Sequence, residues 1–495
     1  MAMSSAATPV EIYILSAFVA FLIVAVSSLV RFRSSIQQSI LSSRSRFLAS
    51  LPSHHGSSTS FIIGFFHPYA DMGGGGERVL WSAIQAIQAK YPTAIVVVYA
   101  WDRIGEKDQV LVKVKSHFNL AIDSDRLHFI KLKDWIWLEA RKYKRLTMVG
   151  QSLGSIWVVW EALGALAPDI FVDSIGCAFT FPIVKLFGAS VVAYVHYPTV
   201  SSDMLQKVAS RVADYNNKGS ISSNPIKSFA KLWYYRVFAV VYAGMGLFAD
   251  VIMVNSTWTY NHIVSIWRRP KSTTIVYPPC NTERLLAIPL SRPRQRTILS
   301  VAQFRPEKAH MLQLEAFKLF LTENPEYREG VNSAQLVLLG GSRNDEDQKR
   351  VQELESAIKV LGLQGNAQII VNASHEVLGQ YLSQSMIGLH TMYNEHFGIG
   401  VVEYMAAGLI PLVHKSGGPM MDIVVPFENG PTGFLAETEE EFAAGFKAIF
   451  AMSTAEQSQM RERARKSVSR FSDQIFKDSF IQQISPVCQK YCAKP

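Results

Sequence analysis

Two glutamates eight residues apart, Glu395 and Glu403, frame the stretch NEHFGIGVVEYMAAGLIPLV. Gly398 and Gly400 between them mark a turn that opens into a helix. Eight residues of helix make a little over two turns, so carboxylates at this spacing lie near one face, the first at the helix mouth. Most such pairs are solvated surface. Here the apolar run that follows, AAGLIPLV, reads as the next buried strand, a context more specific than the spacing itself. A basic pair, Arg305 and Lys308, sits in FRPEKAH directly after the apolar run SVAQF.

His196 ends the apolar run SVVAYVHY and precedes a proline that stops the strand; a lone histidine there is more often structural than functional. Gly73 to Gly76 lie between a strand and a helix expected to begin near Glu77, where backbone without side chains can approach a ligand across a cleft. A flexible turn is the plainer reading, and no third glycine stands where a G-x-G-x-x-G dinucleotide site needs one. GQSLG, Gly150 to Gly154, fits a nucleophile elbow around Ser152, but a hydrolase would leave the second half of the chain unexplained. DSD at Asp123 to Asp125 and DED at Asp345 to Asp347 imitate a metal-binding D-x-D. The first sits in a short acidic turn and the second in a charge-rich surface run, so both are expected to be solvated and no metal is expected.

The elements that must carry these residues are legible as alternation. From Phe61 onward, strand-length apolar runs (FIIGFF, AIVVVYA, LHFIKL, IFVDSI, SVVAYVHY, VIMVNS) alternate with longer amphipathic stretches, the pattern of βαβ units around a parallel sheet. A second alternation runs through TILSVAQF, QLVLLGG, AQIIVN, SMIGLHT and LIPLVH, then ends in a long charged helical region. Ile288 to Arg296, with two prolines and three arginines, separates the series and is the expected domain boundary.

At 495 residues the chain exceeds what one core supports, so two folded domains are expected. Ile12 to Val30 runs uncharged for nineteen residues, the length of one membrane-spanning helix. It lacks the basic start and small-residue cleavage site of a signal peptide. Arg31, Arg33, Arg44 and Arg46 follow it, a bias that places the rest of the chain in the cytosol. The four cysteines (Cys177, Cys280, Cys488, Cys492) form neither a disulfide framework nor a zinc set, and the sequons at Asn255 and Asn372 are expected to stay unmodified on that side. No nucleic-acid module accompanies the net charge of +9, so an anionic ligand and a membrane surface are the better partners. Two greasy stretches, at 141–167 and 227–254, read either as core helices or as an interfacial surface on lipid headgroups.

The E-x7-E segment, the basic pair in FRPEKAH, the glycine-rich first loop and YVHYP together resemble the retaining nucleotide-sugar glycosyltransferases of family four, which have the GT-B fold. HPYADMGGGGERVLW with EHFGIGVVEYMAAGLIPLVHKSGGP narrows the likeness to the α-1,2-mannosyltransferases of the dolichol-linked oligosaccharide pathway, over nearly all of the chain past residue 60 and including the anchor. The resemblance implies two Rossmann-like domains facing across a cleft. With the residue patterns above, the chain divides into a membrane anchor at 1–30, a serine- and arginine-rich juxtamembrane tether without apolar periodicity at 31–60, an acceptor domain at 61–290, a nucleotide-sugar domain at 291–470 and a helical tail at 471–495. It implies GDP-mannose as donor, dolichol-diphosphate-linked trimannosyl-chitobiose as acceptor, and two α-1,2 linkages made in succession. The setting implied is the cytosolic face of the endoplasmic reticulum, with other transferases of the pathway as partners, and no cofactor or metal.

Residue by residue, the resemblance makes Arg305 and Lys308 the diphosphate ligands, where negative charge develops as the glycosidic bond breaks. Glu395 would contact donor-sugar hydroxyls and Glu403 the ribose. Backbone at Phe397, Gly398 and Ile399 would meet sugar and phosphates at a helix N-terminus, Gly74 and Gly75 would adjoin the diphosphate, and His196 would bond the transferred sugar. The alternatives are a GT-B transferase acting on another lipid-linked acceptor, a hydrolase built on Ser152, and a catalytically silent scaffold.

Overall fold

The computed structural model describes residues 31, 34–51, 60–201, 204 and 225–492. Two parallel sheets dominate it. The first holds β1 (Phe61–Phe66), β2 (Ala94–Trp101), β3 (Leu127–Leu132), β4 (Ile170–Asp173), β5 (Ser190–Val195), β6 (Val251–Val254) and β7 (Thr273–Ile275), in the order β3-β2-β1-β4-β5-β6-β7. The second holds β8 (Gln295–Val301), β9 (Gln335–Gly340), β10 (Ala367–Val371), β11 (Ser385–His390), β12 (Ile410–His414) and β13 (Phe434–Ala436), in the order β10-β9-β8-β11-β12-β13. All pairs within them are parallel.

Sheets covered by helices on both faces read as near-continuous apolar runs, and β1 and β5 are buried at every position. In each sheet the order reverses beside the first strand, between β1 and β4 and between β8 and β11. A crevice opens at the strands' carboxyl ends at such a switch point, and ligands of doubly wound folds bind there. This is the GT-B architecture of two Rossmann-like sheets.

Serine-rich composition predicts an unstructured tether at 31–60, but residues 34–49 are helical. Ile36, Ile40, Phe47 and Leu51 recur at helical spacing and pack on the core of the first domain, and Arg44 pairs with Asp169 at 2.8 Å. Serines between these positions hide the stripe. At the other end, the helix Asp473–Cys492 returns to the first domain, burying Phe476, Phe480, Ile484 and Val487 in its core. Arg78 on the helix Gly75–Lys90 clasps it through Asp473 at 2.6 Å.

Among the described residues no helix is long and apolar enough to cross a membrane, and the Ile12 to Val30 segment lies outside them. Both greasy stretches are helices with two faces. In Thr147–Ala165, Val158, Val159 and Leu163 are core while Leu153, Trp157 and Trp160 are exposed. In Pro225–Gly246, Phe238 and Tyr242 are core while Phe229, Trp233 and Val240 are exposed. The cysteines are free thiols.

Candidate active site

The second sheet's switch point brings together side chains from two distant segments. Lys308 closes the short turn Pro306–Lys308 after β8, and His390 is the last residue of β11. Thr391 fixes the turn by donating to the Lys308 carbonyl at 2.9 Å, and Gln313 holds Thr391 by donating to its hydroxyl at 2.7 Å. The Lys308 ammonium then lies 2.5 Å from Glu395 Oε2, and His390 Nε2 lies 3.2 Å from the same oxygen. Burial opposes ionisation of Glu395, but the contact with His390 and the charge on Lys308 outweigh it and hold the carboxyl well below the usual carboxylate range.

The backbone under Glu395 is equally fixed. Gly418 N–H donates to the Glu395 carbonyl at 2.8 Å, and Asn394 N–H donates to Ser416 at 2.7 Å. At Gly417, φ is +61° and a Cβ would come within 2.3 Å of that same carbonyl, so the KSGGP loop needs glycine there. Gly398, with φ of +106°, caps the helix Ile399–Ala407. The first turn of this helix lines a cavity of about 330 Å³ together with Lys308, Glu395 and His390. A helix N-terminus offers unpaired N–H groups and a positive dipole end, a setting suited to a phosphate.

The first sheet supplies the facing wall. His67, Ser174 and His196 follow β1, β4 and β5 directly. His67 Nδ1 lies 2.8 Å from the Ser174 hydroxyl. Burial, then the neighbouring His67, pushes the His196 pKa down to about 4, so this ring is neutral at pH 7. Its Nε2 is buried and has no hydrogen-bond partner among the described residues. A second cavity, of about 640 Å³, opens here against Tyr69, Gln151 and Phe179. Gly76 and His196 line both cavities, so the two spaces meet at these residues.

Of the residues singled out from sequence, the smaller cavity collects His196, Lys308, Glu395, Phe397, Gly398 and Ile399, with Gly75. Gly75 adjoins the opposite domain, since a Cβ there would lie 2.9 Å from Ile399 Cδ1. Three others stand elsewhere. The Gly74 N–H is taken by the Glu77 carboxylate at 2.6 Å. Arg305 lies outside the cavity lining, its guanidinium 3.9 Å from Glu307. Glu403 sits on the helix Ile399–Ala407 away from the lining, where burial pushes its pKa up to about 7 against the opposing charge of Arg78.

Sequence reading missed His390, His396 and Asn255, all of which line the smaller cavity. Asn255, read from sequence only as a sequon, has a buried Oδ1 with no partner among the described residues. His390 shares with His196 the one available signal, a histidine at the end of an apolar strand. The competing motifs resolve into local structure. GQSLG lies inside the helix Thr147–Ala165, not at a strand-to-helix elbow. Asp123 pairs with Arg126 at 2.7 Å, and Asp345 to Asp347 form the first turn of the helix Asp345–Val360.

Two switch-point crevices facing one another, one with a helix N-terminus and a lysine–glutamate pair, define a GT-B nucleotide-sugar glycosyltransferase. Residues 60–267 match the family described as ALG11 mannosyltransferase N-terminus, and residues 281–467 match Glycosyl transferases group 1. The chain is 47% identical over 424 residues to the GDP-Man:Man(3)GlcNAc(2)-PP-Dol alpha-1,2-mannosyltransferase of Mus musculus, covering 85% of this chain and 86% of that one. The Dictyostelium discoideum protein of that name is 46% identical, covering 86% and 84%. The chain belongs to this family of α-1,2-mannosyltransferases. Solved structures show the same fold at low identity. Anabaena Alr3699/HepE in complex with UDP-glucose has a TM-score of 0.56 at 14% identity over 86% of this chain and 100% of that one. The trehalose 6-phosphate synthase of Burkholderia multivorans has a TM-score of 0.62 at 12% identity over 87% and 99%.

Proposed function

We propose that this protein transfers mannose from GDP-mannose to a dolichol-diphosphate-linked trimannosyl-chitobiose, making two α-1,2 linkages in succession with retention at the anomeric carbon. The observation that carries the reading is the meeting of the two cavities at Gly76 and His196, with the Lys308–Glu395 pair in the smaller one. The donor occupies the smaller cavity and the acceptor saccharide the larger.

Lys308 and the N-terminus of the helix Ile399–Ala407 stabilise the diphosphate as its charge grows, with Arg305 at the loop's edge and without a metal. Glu395, ionised, accepts hydrogen bonds from mannose hydroxyls, and His196 supplies a neutral ring for the same sugar. By the family resemblance, backbone at Gly74 and Gly75 adjoins the diphosphate and Glu403 meets the ribose, although Gly74 and Glu403 stand outside the cavity lining in this structure. A carboxylate paired with an ammonium is a weak nucleophile, which favours front-face displacement over the covalent route of retaining glycosidases. In that displacement the departing phosphate oxygen takes the acceptor proton.

A lipid-linked acceptor requires a membrane at the mouth of the larger cavity. The helix Thr147–Ala165 lines that cavity through Met148, Gln151 and Ser152, and exposes Leu153, Trp157 and Trp160 elsewhere on its surface. With Trp233 and Lys231 of the helix Pro225–Gly246, these residues have the composition of an interfacial surface. The protein works at the cytosolic face of the endoplasmic reticulum membrane.

The test is mass spectrometry of a synthetic lipid-diphosphate trimannosyl-chitobiose after incubation with the protein, GDP-mannose and a chelator. Growth by two hexoses, lost in Lys308→Ala, is expected. No growth with folded protein refutes the acceptor assignment, and growth only when metal is restored refutes metal independence.

A further inference from the structure

We propose that Glu77 binds the accepting mannose through its 3-hydroxyl, the free hydroxyl next to the one that reacts, and that His67 is the positioning residue holding the Glu77 carboxylate in place. This rests on the transferase reading above and adds a recognition element for the acceptor, whose ligands the E-x7-E segment and Lys308 do not supply.

Glu77 has a plain structural role that accounts for only half of its carboxylate. It is the third residue of the helix Gly75–Lys90, and Oε2 accepts the Gly74 N–H at 2.6 Å, closing the helix start. Oε1 faces His67 Nε2 at 3.6 Å, longer than a hydrogen bond. Glu77 lines the larger cavity beside Gly76, the residue at which that cavity meets the donor cavity. A sugar whose reacting hydroxyl lies at the junction therefore has its neighbouring hydroxyl within the reach of a carboxylate one residue further along the helix.

The chemistry of the group fits holding a hydroxyl better than taking its proton. Burial opposes ionisation of Glu77, but the contact with His67 and the backbone N–H bonds hold its pKa below the usual value. An ionised, weakly basic carboxylate accepts hydrogen bonds and leaves the proton where it is. His67 is itself buried and fixed by Ser174 at 2.8 Å, so a chain from the end of β4 through the end of β1 sets the orientation of Glu77. Along the front-face path the acceptor 2-oxygen bonds the anomeric carbon, the bond to the diphosphate oxygen breaks with its electrons, and the proton leaves with the diphosphate. Glu77 stays ionised throughout.

Glu77→Gln keeps an oxygen for the Gly74 N–H, so the helix start survives while the charge is lost. Its kcat/KM for the lipid-linked acceptor should fall on the order of 10- to 100-fold, with the GDP dissociation constant unchanged by calorimetry. A synthetic acceptor whose accepting mannose is 3-deoxy should lose a similar factor with the wild-type protein and nothing further with Glu77→Gln. His67→Ala should raise the acceptor KM, and His67→Gln, which restores a donor facing Glu77, should recover part of it. Multiplying losses for Glu77→Gln and the 3-deoxy acceptor, or a parallel loss of GDP binding, would overturn the assignment. Failure of the wild type to extend the natural acceptor would instead overturn the underlying function reading.

Discussion

Lys308 and Glu395, 87 residues apart in sequence, meet at 2.5 Å across the carboxyl ends of β8 and β11. Each reads from sequence as a separate ligand for a different part of the donor. In the structure they are one unit, with His390 as a third member on the same carboxylate oxygen. Lys308→Ala and Glu395→Gln should each lower kcat on the order of 100-fold or more. The double variant should lose clearly less than the product of the two, because removing either partner already disrupts the other. Initial rates on the lipid-linked acceptor decide this, and independent multiplication would mean the pair is incidental to turnover.

Glu403 offers a test in stability. Its folded pKa is raised to about 7 from the ordinary glutamate value of about 4.5, with burial the largest cause. Between those values the folded chain keeps a proton that the unfolded chain has released, so stability falls as pH rises through this window. Glu403→Gln removes that dependence. The variant should match the wild type near pH 4 and exceed it by roughly 2–3 kcal/mol at pH 8 in urea titrations, while donor binding weakens. Parallel stability curves across the range would show that the carboxyl is solvated.

His196 combines a neutral ring with a buried Nε2 that has no partner among the described residues, at the junction of the cavities. His196→Ala should lower kcat on the order of 100-fold and leave the GDP dissociation constant unchanged. Because the folded pKa is depressed to about 4, the unfolded chain binds a proton first as pH falls below about 6.5, and wild-type stability is lost over that interval. The alanine variant should therefore gain on the wild type between pH 7 and pH 5. Thermal melts at the two pH values check the sign, and equal shifts would place His196 in solvent.

The sequence carries the sheets far better than the site. β1, β2, β5 and β11 are covered on both faces, so each is a continuous apolar run that no other local structure explains as well. β7 and β13 are three residues long, and β7 is two threonines and an isoleucine, so neither carries a readable pattern. The helix at 34–49 was masked by serines, although Ile36, Ile40 and Phe47 bury one side of it. Within the site, Glu395 is legible from its spacing to Glu403 and Lys308 from its place after an apolar run, while His196 gains a role only through the family resemblance. The roles of His390, Asn255 and the Glu77–His67 contact depend on which strands are neighbours, which only the β1/β4 and β8/β11 reversals determine.

The exposed aromatic residues make the last prediction. Trp157 and Trp233 are 60% and 50% exposed on helices whose other faces form the core. Leaving large apolar side chains in water is unfavourable, and indole rings favour the headgroup region of a bilayer. Trp157→Ser with Trp233→Ser should then weaken binding to vesicles containing anionic lipid, and raise the KM for a lipid-linked acceptor. Transfer to a short-chain soluble acceptor analogue should be unchanged, because neither tryptophan lines either cavity. Co-sedimentation and rates on the two acceptors separate the effects. A loss on both acceptors would locate the tryptophans in the fold's support of the cavity, and no loss on either would remove the membrane from this face.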